Sequence, residues 1–384
     1  MTNLDVARGL STRIPVPVNE PIITQAAKRY VAEAMEAGWI SSAGPAVALF
    51  EKRFADYLGV RHAITTPSGT AALHLALVTL GIGVGDEVIL PDFTMIGTVC
   101  AVLYTGASPV FIDSEPQTYT IDTTLLAPAI TSRTRAFLPV HIYGHSADME
   151  PILALARAHN LSVIEDAAEA HGATYKSRLC GSLGDMGCFS FYGNKIITTG
   201  EGGMVVTNDD DLAARARSLK DMAHSPNHRF RHDELGFSYR MTSLQAACGV
   251  GQLEHIDAFL EKKRWIASEY QKRLSNIGGL RLPSSKSWAG NVYWMYAVLV
   301  EDSFPLSRSA LCTAMKARGV ETRNFFLSSA SQPMVRTLIG VQGPFPVSEN
   351  LAARGFYLPS GLALTLDQLE YVCETIHEII IEHT

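Results

Sequence analysis

The sequence predicts an α/β fold in two parts: a large domain around a mostly parallel sheet, residues 1–255, and a smaller C-terminal α/β domain, residues 256–384. Two observations carry this. Between residues 60 and 206, short apolar runs alternate with helical periods, and the runs are apolar throughout instead of at every second residue. Strands of that kind are buried on both faces, as in a parallel sheet covered by helices. After a long helical stretch at 242–263, a second mixed pattern begins, with a strand at Val292–Val300 and helices at 307–318 and 366–382. A chain of 384 residues suffices for one large or two medium domains.

Taken in order, residues 1–20 read as irregular, with Pro15 and Pro17. A helix is expected at 22–37, stopped by Gly38. A second is expected at 45–58, where Val47, Phe50, Phe54 and Tyr57/Leu58 share a face and Gly59 follows. His62–Thr66 reads as a strand, and Ser68-Gly-Thr opens a helix at 70–80. Strand Glu87–Leu90, helix Thr94–Tyr104 and strand Pro109–Ile112 come next. A helix at 122–130 is capped by Asp122, and strand Arg135–Val140 follows. A helix over Asp148–His159 has Asp148 as cap and Pro151 in its first turn, and leads to strand Leu161–Glu165. Short strands at 187–191 and 203–207 precede a helix at 209–220. The His- and Arg-rich segment from Asp221 to Asp233 reads as a loop, and so does 321–346. Ligands of such sheets bind beyond the carboxyl ends of the strands.

Composition is that of an ordinary soluble globular protein, with 47% hydrophobic and 18% charged residues. A net charge of -6 gives no general attraction to nucleic acid or to an anionic membrane, so neither is expected as a partner. The six cysteines, at 100, 180, 188, 248, 312 and 373, lack metal-ligand spacing. They read as buried thiols of a reducing compartment, and no metal is expected. The first residues, Met-Thr-Asn-Leu-Asp-Val-Ala-Arg, lack a signal-peptide pattern, and no apolar run is long enough to span a bilayer. The expectation is a cytoplasmic protein.

The chemistry concentrates in Cys188-Phe-Ser-Phe-Tyr-Gly-Asn-Lys-Ile-Ile-Thr-Thr-Gly-Glu-Gly-Gly-Met204, where Lys195 sits in a short polar turn between two apolar runs. An amine in a partly desolvated pocket has a lowered pKa and becomes a nucleophile towards aldehydes. Lys195 therefore reads as a Schiff-base lysine for pyridoxal phosphate, against the competing reading of a solvated loop lysine. Its partners lie upstream. Thr66-Pro-Ser-Gly-Thr is a strand-to-helix turn whose free N–H groups suit a phosphate, or form an ordinary helix cap. Val163-Ile-Glu-Asp places Asp166 directly after a strand, where a carboxylate can pair with the pyridine nitrogen. Ser190 is near enough in sequence to bond the phosphate, and Gly193, Gly200, Gly202 and Gly203 let backbone pass close to a ligand. His141 reads as a hydrogen-bonded structural histidine. Gly-Ile-Gly-Val-Gly at 81–85 precedes a strand and is no dinucleotide fingerprint.

Together these motifs resemble the DegT/DnrJ/EryC1/StrS family of pyridoxal-phosphate-dependent sugar aminotransferases, over nearly the whole chain from Ile14-Pro-Val-Pro-Val-Asn-Glu-Pro onward. The resemblance rests on Trp39-Ile-Ser-Ser-Ala-Gly, Phe50-Glu-Lys-Arg-Phe-Ala, Gly85-Asp-Glu-Val-Ile-Leu-Pro, Tyr104-Thr-Gly-Ala and Tyr143-Gly-His-Ser-Ala-Asp-Met. It rests equally on Glu165-Asp-Ala-Ala-Glu-Ala, the lysine turn from Ser190, and Tyr239-Arg-Met-Thr. It implies an aspartate-aminotransferase-like fold (the pyridoxal-phosphate transferases of fold type I) and a homodimer with shared active sites. The implied reaction moves an amino group from L-glutamate to a keto group of a nucleotide-linked deoxysugar. Gly-Asn-Lys, Tyr-Arg-Met-Thr and Tyr293-Trp-Met are most similar to members that aminate GDP-4-keto-6-deoxymannose.

By matching motif positions, the resemblance makes Lys195 the Schiff-base lysine and Asp166 the partner of the pyridine nitrogen. It gives the phosphate to Ser68, Gly69, Thr70 and Ser190, and the ring hydroxyl to Glu169. Arg240 would reach the phosphate from the neighbouring subunit, and Trp294 and Arg323 would help to hold the nucleotide-sugar. Two segments depart from the family pattern. Pro91-Asp-Phe-Thr-Met puts Met95 where an aromatic residue usually stacks on the cofactor, a place a thioether can fill. Glu321-Thr-Arg-Asn-Phe-Phe-Leu-Ser-Ser-Ala-Ser-Gln-Pro differs at Asn324 and Leu327–Ser331, on the acceptor side. Lys195 argues against a sugar dehydratase of this fold, which commonly replaces the lysine. The intact lysine, acid and phosphate turn argue against a non-catalytic regulator.

Overall fold

The computed structural model describes residues 15–225 and 227–383; the expected irregular stretch lies outside them up to residue 14. Two helices come first, α1 (Gln25–Glu36) and α2 (Pro45–Leu58). The Thr24 hydroxyl caps α1 by accepting from Ala27 N at 2.9 Å. α2 begins with Pro45, whose missing N–H has no partner in a first turn anyway, and it buries Phe50 and Phe54.

The centre is a seven-stranded sheet. Its strands are β1 (His62–Thr66), β2 (Glu87–Pro91), β3 (Ser108–Ile112), β4 (Thr134–Phe137) and β5 (Ser162–Asp166). After a minor hairpin, β6 (Thr174–Tyr175) and β7 (Arg178–Leu179), come β8 (Met186–Ser190) and β9 (Gly203–Thr207). The order across the sheet is β1-β9-β8-β5-β4-β2-β3. Every neighbouring pair is parallel except the two that β9 makes, with β1 and β8. The covering helices are α3 (Gly69–Thr79), α4 (Ile96–Tyr104), α5 (Leu126–Ala129), α6 (Met149–His159), α7 (Asp210–Lys220) and α8 (Ser243–Leu253). α3 buries nine of its eleven residues, which explains why it carries no polar face.

α9 (Ile256–Leu274) leads out of this unit. Ile256, Phe259 and Leu260 on its first turns belong to the large core, and Ile266, Tyr270 and Leu274 to a second core. That second core lies against the four-stranded sheet β12-β14-β16-β15, formed by β12 (Leu280–Arg281), β14 (Tyr296–Val300), β15 (Arg323–Asn324) and β16 (Gly355–Leu358). Helices α10 (Arg308–Ala317) and α13 (Leu366–Ile381) complete it, whereas α11 (Pro333–Ile339) and α12 (Pro346–Arg354) bury Val335 and Leu351 in the large core, and the short strand β13 (Ala289–Gly290) pairs back onto β6. The expected large, mostly parallel sheet and smaller C-terminal α/β unit are both present. No helix among the described residues is long and apolar enough to cross a membrane.

Several local expectations need correction. The helix expected at 242–263 is two helices, because Glu254 at the bend is held by Arg53 (2.6 Å) and the Tyr30 hydroxyl (2.8 Å), and His255 leaves helical geometry. Tertiary ties override helix propensity there. The expected loop 221–233 holds a hairpin, β10 (His224–Ser225) and β11 (His228–His232). The expected loop 321–346 holds β15, a 3₁₀ turn at Ser329–Ser331 and α11, which opens on Pro333. The strand expected from Val292 starts only at Tyr296, since Tyr293 adopts φ +49°. β4 stops at Phe137, two residues before Pro139, which has no N–H for a ladder. The helix expected at 122–130 is a 3₁₀ turn followed by one turn of α-helix. α4 starts at Ile96, not Thr94, with Met95 as its cap. Asp148 precedes α6 without capping it; its carboxylate accepts from the Tyr175 hydroxyl at 2.6 Å.

Candidate active site

β5 ends in two adjacent acids, and the pleat sends their side chains to opposite faces of the sheet. Glu165 turns away from the ligand edge. Its carboxylate accepts from the N–H groups of Gly181, Leu183 and Gly184 at 2.6–2.7 Å and meets His141 Nε2 at 2.9 Å. His141 Nδ1 accepts from Ala147 N at 3.1 Å, so this buried histidine is structural. Asp166 turns toward the ligand edge. Its Oδ2 accepts from the Thr98 hydroxyl at 2.8 Å and its Oδ1 from Ala168 N at 3.1 Å. Burial raises the Asp166 pKa, while Thr98, Ala168 and the Lys195 charge pull it back.

The connection from β8 to β9 carries the lysine. Phe191 N donates to Gly202 O at 2.8 Å, Thr199 N to Phe191 O at 2.9 Å, and Lys195 N to Tyr192 O at 2.9 Å, which fold the segment into a tight excursion. The Lys195 side chain is only 10% exposed, unlike a solvated loop lysine. Its amine lies 3.7 Å from Glu169 Oε1 and 3.7 Å from the centroid of the Trp294 ring. Burial lowers its pKa, and the carboxylates of Glu169 and Asp166 oppose that shift. Burial likewise pushes Glu169 up to about 7, against the Lys195 charge and the Tyr143 N–H at 2.8 Å. Both shifts favour the neutral forms, an amine that can attack and a carboxyl that can donate.

A phosphate-sized cradle lies beside them. Ser68 caps α3 by accepting from Ala71 N at 3.1 Å, leaving the first N–H groups of the helix directed outward. Ser190, at the end of β8, faces this turn. A Cβ on Gly69 would lie 2.7 Å from Ser190 Cβ, and one on Gly203 would lie 2.3 Å from Ser68 O, so neither position accepts a side chain. The cradle opens into a cavity of about 410 Å³. Ser68, Gly69, Thr70, Met95, Asp166, Glu169, Ser190, Lys195, Trp294 and Arg323 all line it. Met95 lies at one edge, half-exposed, its Sδ accepting from Gly97 N at 2.9 Å. Trp294 forms another part of the wall, its Nε1 donating to Asn194 O at 2.8 Å. Arg240 is elsewhere in this chain, bound to Asp221 at 2.7 Å and to the Ser238 hydroxyl at 3.1 Å.

The residues present fit pyridoxal phosphate: a side-chain-free cradle at a helix start for the phosphate, a buried acid for the ring nitrogen, and a buried amine between them. Sequence reasoning missed half of the lining residues, Thr98, Tyr192, Asn194 and Phe326 among them, and one support. Lys263 is that support, fixing the Trp294 wall. The fully buried Lys263 amine donates to Trp294 O at 2.8 Å and to Ser360 O at 2.5 Å, and burial brings it down to about 7. Thr98 left a signal, a hydroxyl within the apolar run Ile-Gly-Thr-Val-Cys-Ala-Val. Lys263 left none, since it sits in a charged stretch that reads as solvated.

The family model for DegT/DnrJ/EryC1/StrS aminotransferases matches residues 21–377. The GDP-perosamine synthase of Caulobacter vibrioides is 43% identical over 367 residues, covering 95% of this chain and 98% of that protein. The GDP-perosamine synthase of Escherichia coli O157:H7 is 42% identical, covering 94% and 98%. Among solved structures, S. venezuelae DesV in complex with a ketimine intermediate aligns with a TM-score of 0.89 at 35% identity, covering 96% of this chain and 99% of that one. DesI in the presence of its TDP-sugar product aligns with a TM-score of 0.89 at 31% identity, covering 96% and 93%. The fold is thus fold type I, aspartate-aminotransferase-like, as expected. The chain belongs to the DegT/DnrJ/EryC1/StrS aminotransferase family and is a pyridoxal-phosphate-dependent aminotransferase.

Proposed function

We propose that this enzyme moves an amino group from L-glutamate to the 4-keto group of GDP-4-keto-6-deoxymannose, giving GDP-perosamine. The support is the near-full-length similarity to two GDP-perosamine synthases. The observation that carries the chemistry is the Lys195 amine, buried beside Glu169 and within one cavity with Asp166 and the α3 cradle.

Ser68, Gly69, Thr70 and Ser190 would hold the phosphate, Lys195 the aldehyde carbon, Asp166 the ring nitrogen, Met95 a ring face and Glu169 the ring hydroxyl. The cofactor supplies the electron sink that lets a proton leave a carbon next to nitrogen. Everything else falls to the chain. Lys195 Nζ, whose pKa burial lowers, would take the proton from the donor's α carbon and return it one carbon along on the same face, as base and then acid. Asp166, oriented by Thr98 and Ala168, would be the carboxylate that pairs with the ring nitrogen. Trp294 and Phe326 close the cavity against water, and Arg323 offers a cation to the nucleotide phosphates.

We further read residues 1–255 as the cofactor-binding unit and 256–384 as the acceptor-side unit. The working form is a cytoplasmic homodimer with shared active sites, in which Arg240 of each chain serves its partner's phosphate site. The test is to load the enzyme in its pyridoxamine form and offer a panel of keto-sugar nucleotides. GDP-4-keto-6-deoxymannose should restore the pyridoxal phosphate spectrum fastest. Preference for a UDP- or dTDP-linked keto-sugar would overturn the acceptor but leave the reaction class standing.

A further inference from the structure

Asp92 lies immediately after β2, fully buried, one residue before Phe93 and three before Met95. It does not line the cavity. Its backbone N–H donates to Ile112 O at 2.8 Å, which fixes it to the end of the adjacent strand β3. From there it grips the acceptor-side segment at two points. Ala330 N donates to its Oδ1 at 2.7 Å, and Ser329 N donates to its backbone O at 3.0 Å. The Ser328 hydroxyl also faces the carboxyl. Between these grips and the cavity, Phe93 packs against Phe325 (ring centroids 5.8 Å apart) and Phe326 (6.2 Å), and Phe326 is a cavity wall.

The geometry points to Asp92 as a positioning residue for the acceptor, one carboxylate setting the 326–331 segment at a fixed distance from Met95. The two stretches where this chain leaves its family's pattern, around Met95 and over 324–331, are thereby one mechanical unit. Both are anchored on Asp92, and each sends a residue into the same cavity, Met95 from one stretch and Phe326 from the other. A short, charge-assisted bond from a backbone N–H holds such a segment more tightly than a neutral one. A displacement of about 1 Å at a binding wall is enough to cost a large factor in productive binding. A comparison lies one strand away. Asp113 follows β3 and grips the start of α12 in the same manner, accepting from Val347 N, Ser348 N and the Ser348 hydroxyl at 2.7–2.9 Å, without bordering the cavity.

This inference rests on the aminotransferase reading and on a keto-sugar nucleotide as acceptor, and the experiment separates the two. The holoenzyme and its Asp92→Ala, Asp92→Asn and Asp113→Ala variants are followed in each half-reaction by the cofactor spectrum. The donor half-reaction uses L-glutamate, and the acceptor half-reaction uses the keto-sugar nucleotide that the wild type turns over. Asp92→Ala should raise the acceptor KM about tenfold or more, with the glutamate half-reaction within about twofold of wild type. Asp92→Asn, which keeps an oxygen for Ala330 N, should recover most of the loss. Asp113→Ala should lower Tm without moving the acceptor KM. If Asp92→Ala does not fold, Asp92→Glu carries the readout, because its extra methylene pushes the 328–330 turn outward. Equal losses in both half-reactions, an unchanged acceptor KM, or an Asn variant no better than Ala would overturn the assignment. A wild-type enzyme that accepts no keto-sugar nucleotide would instead overturn the reading beneath it.

Discussion

The Lys195 amine rests over the Trp294 ring, 3.7 Å from its centroid, so the two halves of the chain meet at the reactive nitrogen. Lys195 comes from the β8–β9 excursion and Trp294 from the segment before β14. A protonated amine gains from the ring face, a neutral one from the dry surface it provides. Removing the amine leaves no other lysine in the cavity. Lys195→Ala should therefore lose transamination by roughly 10³-fold or more. Borohydride should fix the cofactor onto the wild type and not onto the variant, as peptide mass analysis would show.

Asp166→Asn keeps the shape and the Thr98 contact but removes the charge. The single-turnover rate with glutamate should fall by roughly 10²–10³-fold, the scale for losing one preorganised electrostatic partner. Covalent attachment at Lys195 should persist. A variant that turned over at the wild-type rate would remove Asp166 from its assigned place.

Glu169 gives a pH signature. Its carboxyl is pushed from 4.5 up to about 7 by burial. Between those values the unfolded chain has lost a proton that the folded chain keeps, so stability falls as pH rises through that window. Glu169→Gln cannot titrate. The cofactor-free variant should be stabilised relative to wild type by roughly 1–3 kcal/mol above pH 7, with the advantage fading towards pH 4.5. Thermal melts across the window measure it.

Lys263 has the opposite sign. Burial brings its amine from 10.5 down to about 7, so between these values the unfolded chain holds a proton that the folded chain lacks, and stability rises with pH. Lys263→Met cannot titrate. Its deficit against wild type should widen with pH through that window, by up to roughly 1.4 kcal/mol per pH unit. Denaturant titrations at several pH values would show whether the gap stays flat.

Gly69→Ala tests the cradle. The added Cβ would collide with Ser190 Cβ at 2.7 Å, prising helix α3 from β8. Cofactor affinity should drop about tenfold or more, near 1.4 kcal/mol. Equilibrium dialysis against pyridoxal phosphate reads it directly.

How much of this was legible depended on where the determining forces are local. Every strand of the large sheet was found, because each is a buried apolar run bounded by turn residues. β16 was missed: Gly-Phe-Tyr-Leu follows α12 with no loop between them, Gly355 being both the cap of the helix and the first residue of a four-residue strand. The bend at Glu254 was missed because Arg53 and Tyr30, which hold it, are some 200 residues away in sequence. The site showed the same division. Lys195, Asp166 and the Ser68 turn are marked by their immediate neighbours. Phe326 and Lys263 owe their roles to contacts across the fold that no window of sequence contains, and the Thr98 hydroxyl, visible in its apolar run, meets a partner 68 residues away.

The single antiparallel strand has one more effect. Because β9 returns against β8, the segment between them leaves the sheet at the ligand edge and comes back to that same edge. A parallel partner would have sent the chain to the far side through a crossover. Lys195 thus rides a tether pinned at both ends, with Phe191 and Gly202 closing its base. Such a mount lets the four-carbon side chain swing between attachment point and proton carrier while the peptide beneath it stays still.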